Sequence, residues 1–326
     1  MGVSHWHTPF FCEPLRTLDD AKRTAVSDPN PDVARSPADR CGCAGFTDHR
    51  ELLAAMRPDF AFALAPHAGM PSLGHDLIRA GVGLLWRNPA ARPERKSRDC
   101  AMQPPRPAPW RRSRWRFGTP ICCEPFARPR REKCFATYRF DSSPGHRSDT
   151  STADASGCWA LGGQVADALS IWAVHCFDLY ALLTGGRPSV VGATMSNATC
   201  GLSVEDYSAV SLSRGSADGV VETGYTVPGP TGSFDLRFSL RSGQHHVTAT
   251  GADVAGDDHL VIYAADGTME VLHTPTSQVP CYAAFVRQTL DRFRHGQPPL
   301  ADVSDMSTAM EVVKAAYVAA GRRAPP

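Results

Sequence analysis

His175 and Asp178 stand three residues apart in the apolar stretch AVHCFDLY. On a helix that spacing puts an imidazole and a carboxylate on one face, where the acid can orient the ring for proton transfer. A buried structural histidine explains the same pattern, and the residues alone leave both readings open. A second group lies at the start of the chain, Gly2-Val3-Ser4-His5-Trp6-His7, with Asp28 ending the next β-type run 26 residues after Gly2. A glycine turn of this kind lets backbone approach a pyrophosphate at a helix N-terminus. A carboxylate at the end of the following strand bonds the ribose hydroxyls and repels a 2′-phosphate. Gly2 satisfies only the first glycine position, and Ser4 and His7 replace the later ones. A third group, Ala65-Pro66-His67, follows an apolar run at 59–64. Open α/β sheets place their ligand crevice at the carboxyl ends of such strands, although a plain helix-leading turn would look the same.

These groups require elements to hold them. Residues 24–26 form a short strand, and 48–56 (DHRELLAAM) a helix with Asp48 near its cap. Arg57-Pro58 stops that helix, and 59–64 (DFAFAL) has the continuous apolar character of a buried parallel strand. A helix over 71–79 ends at Ala80-Gly81, and 82–85 begins another strand. This alternation predicts βαβ units in a doubly wound parallel sheet. After residue 136 the rhythm changes. A long apolar helix spans 166–183, closed by Thr184-Gly185-Gly186, and β-type runs follow at 189–195, 207–212, 220–226, 234–240, 246–249, 260–263 and 269–272. Turn signals such as Arg241-Ser242-Gly243 separate them, and two helices, 282–293 and 304–320, finish the chain. The expected fold is therefore α/β over 1–135, followed over 136–326 by an α+β domain with an open, mostly antiparallel sheet.

The 326 residues are 42% apolar and 21% charged, which suits two packed domains. Apolar runs such as 160–174 are interrupted and fall short of the roughly 18–20 residues of a membrane span, and no signal peptide opens the chain. Eleven cysteines without a repeating framework fit reduced thiols in a cytoplasmic protein. Cys41-Gly42-Cys43 and Cys122-Cys123 lack a second pair at zinc-finger spacing, so no metal is expected. One block stands apart. Residues 86–135 hold 14 of the 34 Lys and Arg, 9 of the 27 Pro and only four acids, a balance of +10 in a chain whose total is +1. Such a block invites a nucleic-acid reading, with Trp110 or Trp115 stacking on bases. Its prolines and its lack of an amphipathic period or a known module weigh against it.

In their order, the segment 60–80, the Gly81-Val82 step, the His175/Asp178 helix and the ending 298–322 resemble the glucose–fructose oxidoreductase / inositol dehydrogenase (Gfo/Idh/MocA-type) family of NAD(P)-dependent oxidoreductases. The resemblance covers roughly 2–85 and 136–326. It implies a Rossmann-type first domain that binds NAD, which Asp28 favours over NADP, through Gly2, Val3, Ser4, His5, Trp6, Asp28, Ala65, Pro66 and His67. The second domain would close over a small sugar, polyol or similar substrate, with His175 and Asp178 handling the proton. Association into a homo-oligomer through the open sheet is implied as well. The chain departs from the family at three points. The strand that precedes the glycine turn is missing, Ile171 replaces an aspartate or asparagine four residues before the histidine, and the lysine of a Glu-Lys-Pro motif is Asn88 in Arg87-Asn88-Pro89. Asparagine cannot accept a proton as that lysine does, so activity is expected to be impaired. A non-catalytic nucleotide- or sugar-binding relative is the alternative.

The third departure has a candidate origin. Trp-Arg-Asn-Pro can be encoded TGG-AGA-AAC-CCN, which read one base earlier gives Val (or Leu or Met)-Glu-Lys-Pro. Trp115 to Pro120 can likewise conceal Val-Ala-Val-Arg-Tyr-Ser, similar to the family's next strand. The hypothesis is that about 86–135 is translated out of frame. Resequencing the gene tests it, and a single intact frame encoding Arg87-Asn88 would overturn it. The block also has too few apolar residues in any period to bury a face, and its cations repel one another. Limited proteolysis is expected to cut first within 86–135, and protection of that stretch would contradict the expectation.

Overall fold

The structure is a computed structural model. It describes residues 1–4, 8–65, 69–86, 111–112, 134–142, 160–161, 164–165, 168–199, 204–227, 234–252, 259–273 and 278–323. His5, Trp6, Pro66, His67, Asn88 and most of the basic block lie outside the described residues. The chain divides into two compact units, Met1–Pro120 with Ser277–Ser307, and Ile121–Thr276 with Thr308–Pro326. The return of 277–307 to the first unit was not legible in the sequence.

The first unit follows the expected βαβ alternation. It comprises α1 (Thr8–Arg16), β1 (Ala25–Ser27), α2 (Pro31–Cys41), β2 (Ala44–Phe46), α3 (His49–Met56), β3 (Phe60–Ala63), α4 (Met70–Arg79), β4 (Gly83–Trp86) and the short β5 (Arg111–Arg112). Its ends are set by local chemistry. The Asn30 side chain accepts from the Asp32 N–H to start α2, and Asp48 accepts from the Arg50 N–H at 2.8 Å to start α3. Gly42 at φ 61° and Gly81 at φ 72° take the left-handed conformation just beyond α2 and α4. All strand pairs are parallel, as expected, but they form two sheets rather than one. β1 pairs with β2, and β3, β4 and β5 form the other. α6 (Gln278–Arg294) packs on α1, with Phe10 stacked on Tyr282 at 4.8 Å. A Cβ on Gly83 would come within 2.6 Å of the Phe293 ring, so the sheet meets α6 at glycine distance.

The second unit is one eight-stranded sheet in the order β15-β14-β13-β12-β6-β11-β10-β9. Its strands are β6 (Cys134–Ser142), β9 (Ser189–Ser196), β10 (Tyr207–Arg214), β11 (Ala217–Gly224), β12 (Phe234–Arg241), β13 (His245–Ala252), β14 (His259–Ala264) and β15 (Met269–His273). Two two-residue strands, β7 (Ala160–Leu161) and β8 (Gln164–Val165), form a separate pair. Only β6 with β11 runs parallel, so the sheet is open and mostly antiparallel, as expected. One face is covered by α5 (Val174–Thr184) and by 308–319 of α7 (Val303–Ala319). Phe177, Tyr180, Val313 and Tyr317 pack there over Ala136, Val210 and Val221. Tyr180 donates to the Ala217 carbonyl at 2.6 Å, and a Cβ on Gly219 would sit 2.6 Å from the Tyr180 ring. No helix among the described residues is long and apolar enough to cross a membrane.

The amino group of Met1 donates to the Phe62 carbonyl at 2.8 Å in the first unit, and desolvation lowers its pKa from 8.0 to about 6. A cation whose pKa falls on folding is held neutral by the fold, so the unfolded chain binds more protons between those values. Stability should therefore rise by about 2–3 kcal/mol as pH climbs from 6 to 8, and be lost again below. Urea unfolding across that range, with an Nα-acetylated chain as the control lacking this component, is the measurement.

Candidate active site

The residues singled out in the sequence fall into two clusters, one in each unit. In the first, Gly2 runs across the carboxyl ends of β1 and β3. Its N–H donates to the Ser27 carbonyl at 2.7 Å, and the Leu64 N–H donates to the Met1 carbonyl at 2.8 Å. Gly2 has φ +69°, and a Cβ there would lie 2.4 Å from Ala65 Cα. Both the conformation and the close approach demand glycine. The Ser4 N–H donates to Asp28 Oδ2 at 2.8 Å and the Asn30 N–H to Asp28 Oδ1 at 3.1 Å, with Asp28 only 3% exposed. Gly2, Ser4, Asp28 and Ala65 are thus brought together at the strand ends. Val3 is different. It is buried with Val26 and Ala38, and its carbonyl accepts from the Thr8 hydroxyl at 2.9 Å, which joins the turn to the start of α1.

The second cluster lies on the helix expected at 166–183. The helix begins at Ala168, but Leu169–Ala173 is a π-helical turn, closed by a Val174 N–H to Leu169 carbonyl bond, before α5 starts. Such single-turn insertions collect at functional sites, and they shift the helix face by one residue. Counting back one such turn from His175 therefore arrives at Ser170, buried at 4%, rather than Ile171. His175 is half-buried and Asp178 is 3% exposed, with helical spacing placing them on one side. Between them Cys176 is buried, and desolvation pushes its thiol up to about 12, so it stays protonated.

The sequence reading missed Glu205. This buried acid accepts from the Leu169 N–H at 3.4 Å and from the Tyr317 hydroxyl at 2.5 Å, tying the π turn to α7. A single acid between two strands carries no sequence signal, since its partners are 36 and 112 residues away. Ser208 of β10 and Thr223 of β11 share a buried hydroxyl hydrogen bond of 2.8 Å. Among the described residues no group of three or more His, Cys, Asp or Glu could hold a metal ion. Glu205→Gln keeps the shape but removes the charge that strengthens both bonds. It should cost about 1–3 kcal/mol and raise amide exchange at Leu169 relative to the rest of α5. Unchanged exchange there would show that Glu205 does not hold the turn.

No protein-family model matches the chain, and no curated protein does. Solved structures do match its fold. An oxidoreductase from Agrobacterium radiobacter, in complex with NAD+, L-tartaric acid and magnesium, superposes with TM-score 0.74 at 15% identity, over 97% of this chain and 93% of that one. Levoglucosan dehydrogenase, in complex with NADH and levoglucosan, gives 0.74 at 14% over 97% and 95%. UDP-N-acetylglucosamine 3-dehydrogenase from Acidithiobacillus ferrooxidans gives 0.75 at 16% over 98% and 95%. The chain has the mixed α/β fold of these oxidoreductases, with small parallel sheets and one large, mostly antiparallel sheet.

Proposed function

We propose that the chain is a Gfo/Idh/MocA-type oxidoreductase that uses NAD to oxidise a secondary alcohol of a small sugar or polyol, with activity reduced in this sequence. The observation that carries the proposal is the Gly2 turn. Its positive φ, its close approach to Ala65, where any Cβ would collide with that residue, and its link through Ser4 to Asp28 build a tight backbone turn at the strand ends. Gly2, Ser4 and Ala65 would line the cofactor's pyrophosphate side, together with His5, Trp6, Pro66 and His67. Asp28, whose oxygens each accept one backbone N–H, keeps further lone pairs for ribose hydroxyls and would disfavour a 2′-phosphate. The fold's likeness to solved NAD and NADH complexes supports the same reading.

When bound, the nicotinamide supplies the hydride acceptor. His175 would take the substrate hydroxyl proton, with Asp178 as the positioning residue that fixes its tautomer. The neighbouring Cys176 thiol, protonated throughout the working range, does not compete. Asn88, in place of the family lysine, is why activity is reduced. It is also what favours the second reading, a nucleotide- or sugar-binding relative without turnover. A cytoplasmic setting and a homo-oligomer through the open sheet complete the proposal. The exposed Met269 and Val271 of β15 supply apolar surface for such contact.

NADH titration followed by assay of polyol oxidation separates the two readings. Asn88→Lys should raise kcat by at least tenfold, and His175→Ala in that background should lower it by about 10²-fold with NADH affinity unchanged. Asp28→Ser should weaken NADH and narrow the preference over NADPH. NADH binding with no turnover in either chain would favour the non-catalytic relative, and no NADH binding at all would overturn the oxidoreductase reading and the nucleotide-binding form of the second.

A further inference from the structure

Three thiols gather in the first unit. Cys12 of α1, Cys41 at the end of α2 and Cys43 just beyond it all line one cleft of about 730 Å³. None is in a disulfide, and each is half-buried rather than sealed in the core. Two features hold them in place. α1 packs against α2, with Glu13 and Arg40 paired across the contact at 3.9 Å, next in sequence to Cys12 and Cys41. Past α2 the chain turns tightly at Gly42, where the Gly42 N–H donates to the Asp39 carbonyl at 3.2 Å and the Cys43 N–H to the Ala38 carbonyl at 3.0 Å. The Cys12 and Cys41 thiols lie within hydrogen-bond reach of each other. Neither belongs to the Gly2 turn or to the His175 cluster, so the proposed oxidoreductase activity leaves both unused.

Facing thiols admit three chemistries: redox exchange, zinc, or a softer ion. Redox exchange begins with a thiolate. Desolvation and the neighbouring Cys41 push the Cys12 thiol up to about 11, and desolvation likewise raises Cys43, so both are slow nucleophiles at neutral pH. A structural zinc ion takes four ligands, and among the described residues no group of three or more His, Cys, Asp or Glu could hold a metal ion. A singly charged d10 cation needs only two thiolates in line. It is selected by soft sulfur ligands and displaces their protons as it binds. A linear S–metal–S bridge holds its sulfurs only slightly further apart than a thiol–thiol hydrogen bond does. The surroundings suit such an ion, since Phe11, Leu15 and the Met56 thioether line the same cleft.

We propose that Cys12 and Cys41 form a two-coordinate site for copper(I), which bridges α1 to the end of α2. Two S–H bonds break and two S–Cu bonds form, the two protons pass to solvent, and copper stays in its +1 state. The bis-thiolate then carries one negative charge. Two guanidinium groups stand where that charge appears, Arg40 acting electrostatically on Cys12 and Arg23 on Cys43. Arg23 donates to the Leu15 carbonyl at 2.6 Å through a terminal nitrogen, while its Nε is buried without a hydrogen-bond partner among the described residues. An uncompensated buried donor of this kind favours negative charge in its part of the cleft. Cys43 is the spectator thiol, packed beside Val3, Val26 and Ala38.

Residue-resolved alkylation of the full chain tests the pair. One equivalent of copper(I) in anaerobic buffer should slow alkylation of Cys12 and Cys41 together by about tenfold or more, and that of Cys43 by less than about twofold. Cys12→Ser should release Cys41 from protection and Cys41→Ser should release Cys12, whereas Cys43→Ser should leave both protected. Zinc(II) at the same concentration should protect neither. The parent chain decides the matter even where a variant fails to fold. Alkylation of Cys12 that ignores copper(I), or protection of Cys41 together with Cys43 in place of Cys12, would overturn the proposal. Equal protection by zinc(II) would overturn it too, since that marks a site with more ligands than two. Because these readouts need neither NADH nor substrate, they stand apart from the proposed enzymatic activity.

Discussion

The first unit depends on a bridge two residues long. Met1 and Gly2 bond β3 on one side and β1 on the other, and nothing else joins the two sheets through backbone among the described residues. Sheets of two and three short strands are marginal by themselves, because each buries little and exposes edges. Their order comes from helices packed on their faces, such as the aromatic set Phe10, Phe11, Phe62, Tyr282 and Phe285 that fixes α1 against α6. The glycine turn, Asp28 and the approach to Ala65 all hang from the same bridge. The candidate cofactor cradle therefore inherits whatever rigidity that bridge has.

The second unit has a corresponding keystone in β6. It joins β11 to β12, so without it the other seven strands would fall into a three-stranded and a four-stranded sheet. Cys134, Ala136 and Tyr138 point into the core while Phe135 is 39% exposed, an alternation that begins at its first residue. Β-register admits no slip where one face is buried, since a shift of one would exchange every side chain between core and solvent. The sequence that follows the basic block is thus in correct structural phase from residue 134, close to where the anomalous composition ends.

How much was legible follows from where the signal resides. Elements with local signals were found: α3 behind its Asp48 cap, α4 ended by Gly81, and the strands of the large sheet by their alternation. α1 and α2 were missed, each carrying an internal proline, Pro14 and Pro37, which argues against helix on local grounds. β6 was missed because its alternating pattern abuts the composition of the block. The division of the parallel strands into two sheets carries no local signal, because which strands neighbour one another is set by long-range packing. Of the candidate site, the residue types and spacing of the glycine turn and Asp28 were readable, and the structure brings them together. Glu205 was not, since its role exists only through long-range contacts.

The π turn shows the same limit more sharply. Spacing arguments assume 3.6 residues per turn, and they made Ile171 a departure from the expected pattern four residues before His175. An i→i+5 turn at Leu169–Ala173 changes the count, so the residue one turn back is Ser170, small, polar and buried. A Glu205 carboxylate that accepts from the Leu169 N–H supplies a reason for this local geometry, because it draws the first turn towards α7. Local rules fail where long-range contacts set the geometry, and here the buried Glu205 joins the π turn to a helix more than a hundred residues away.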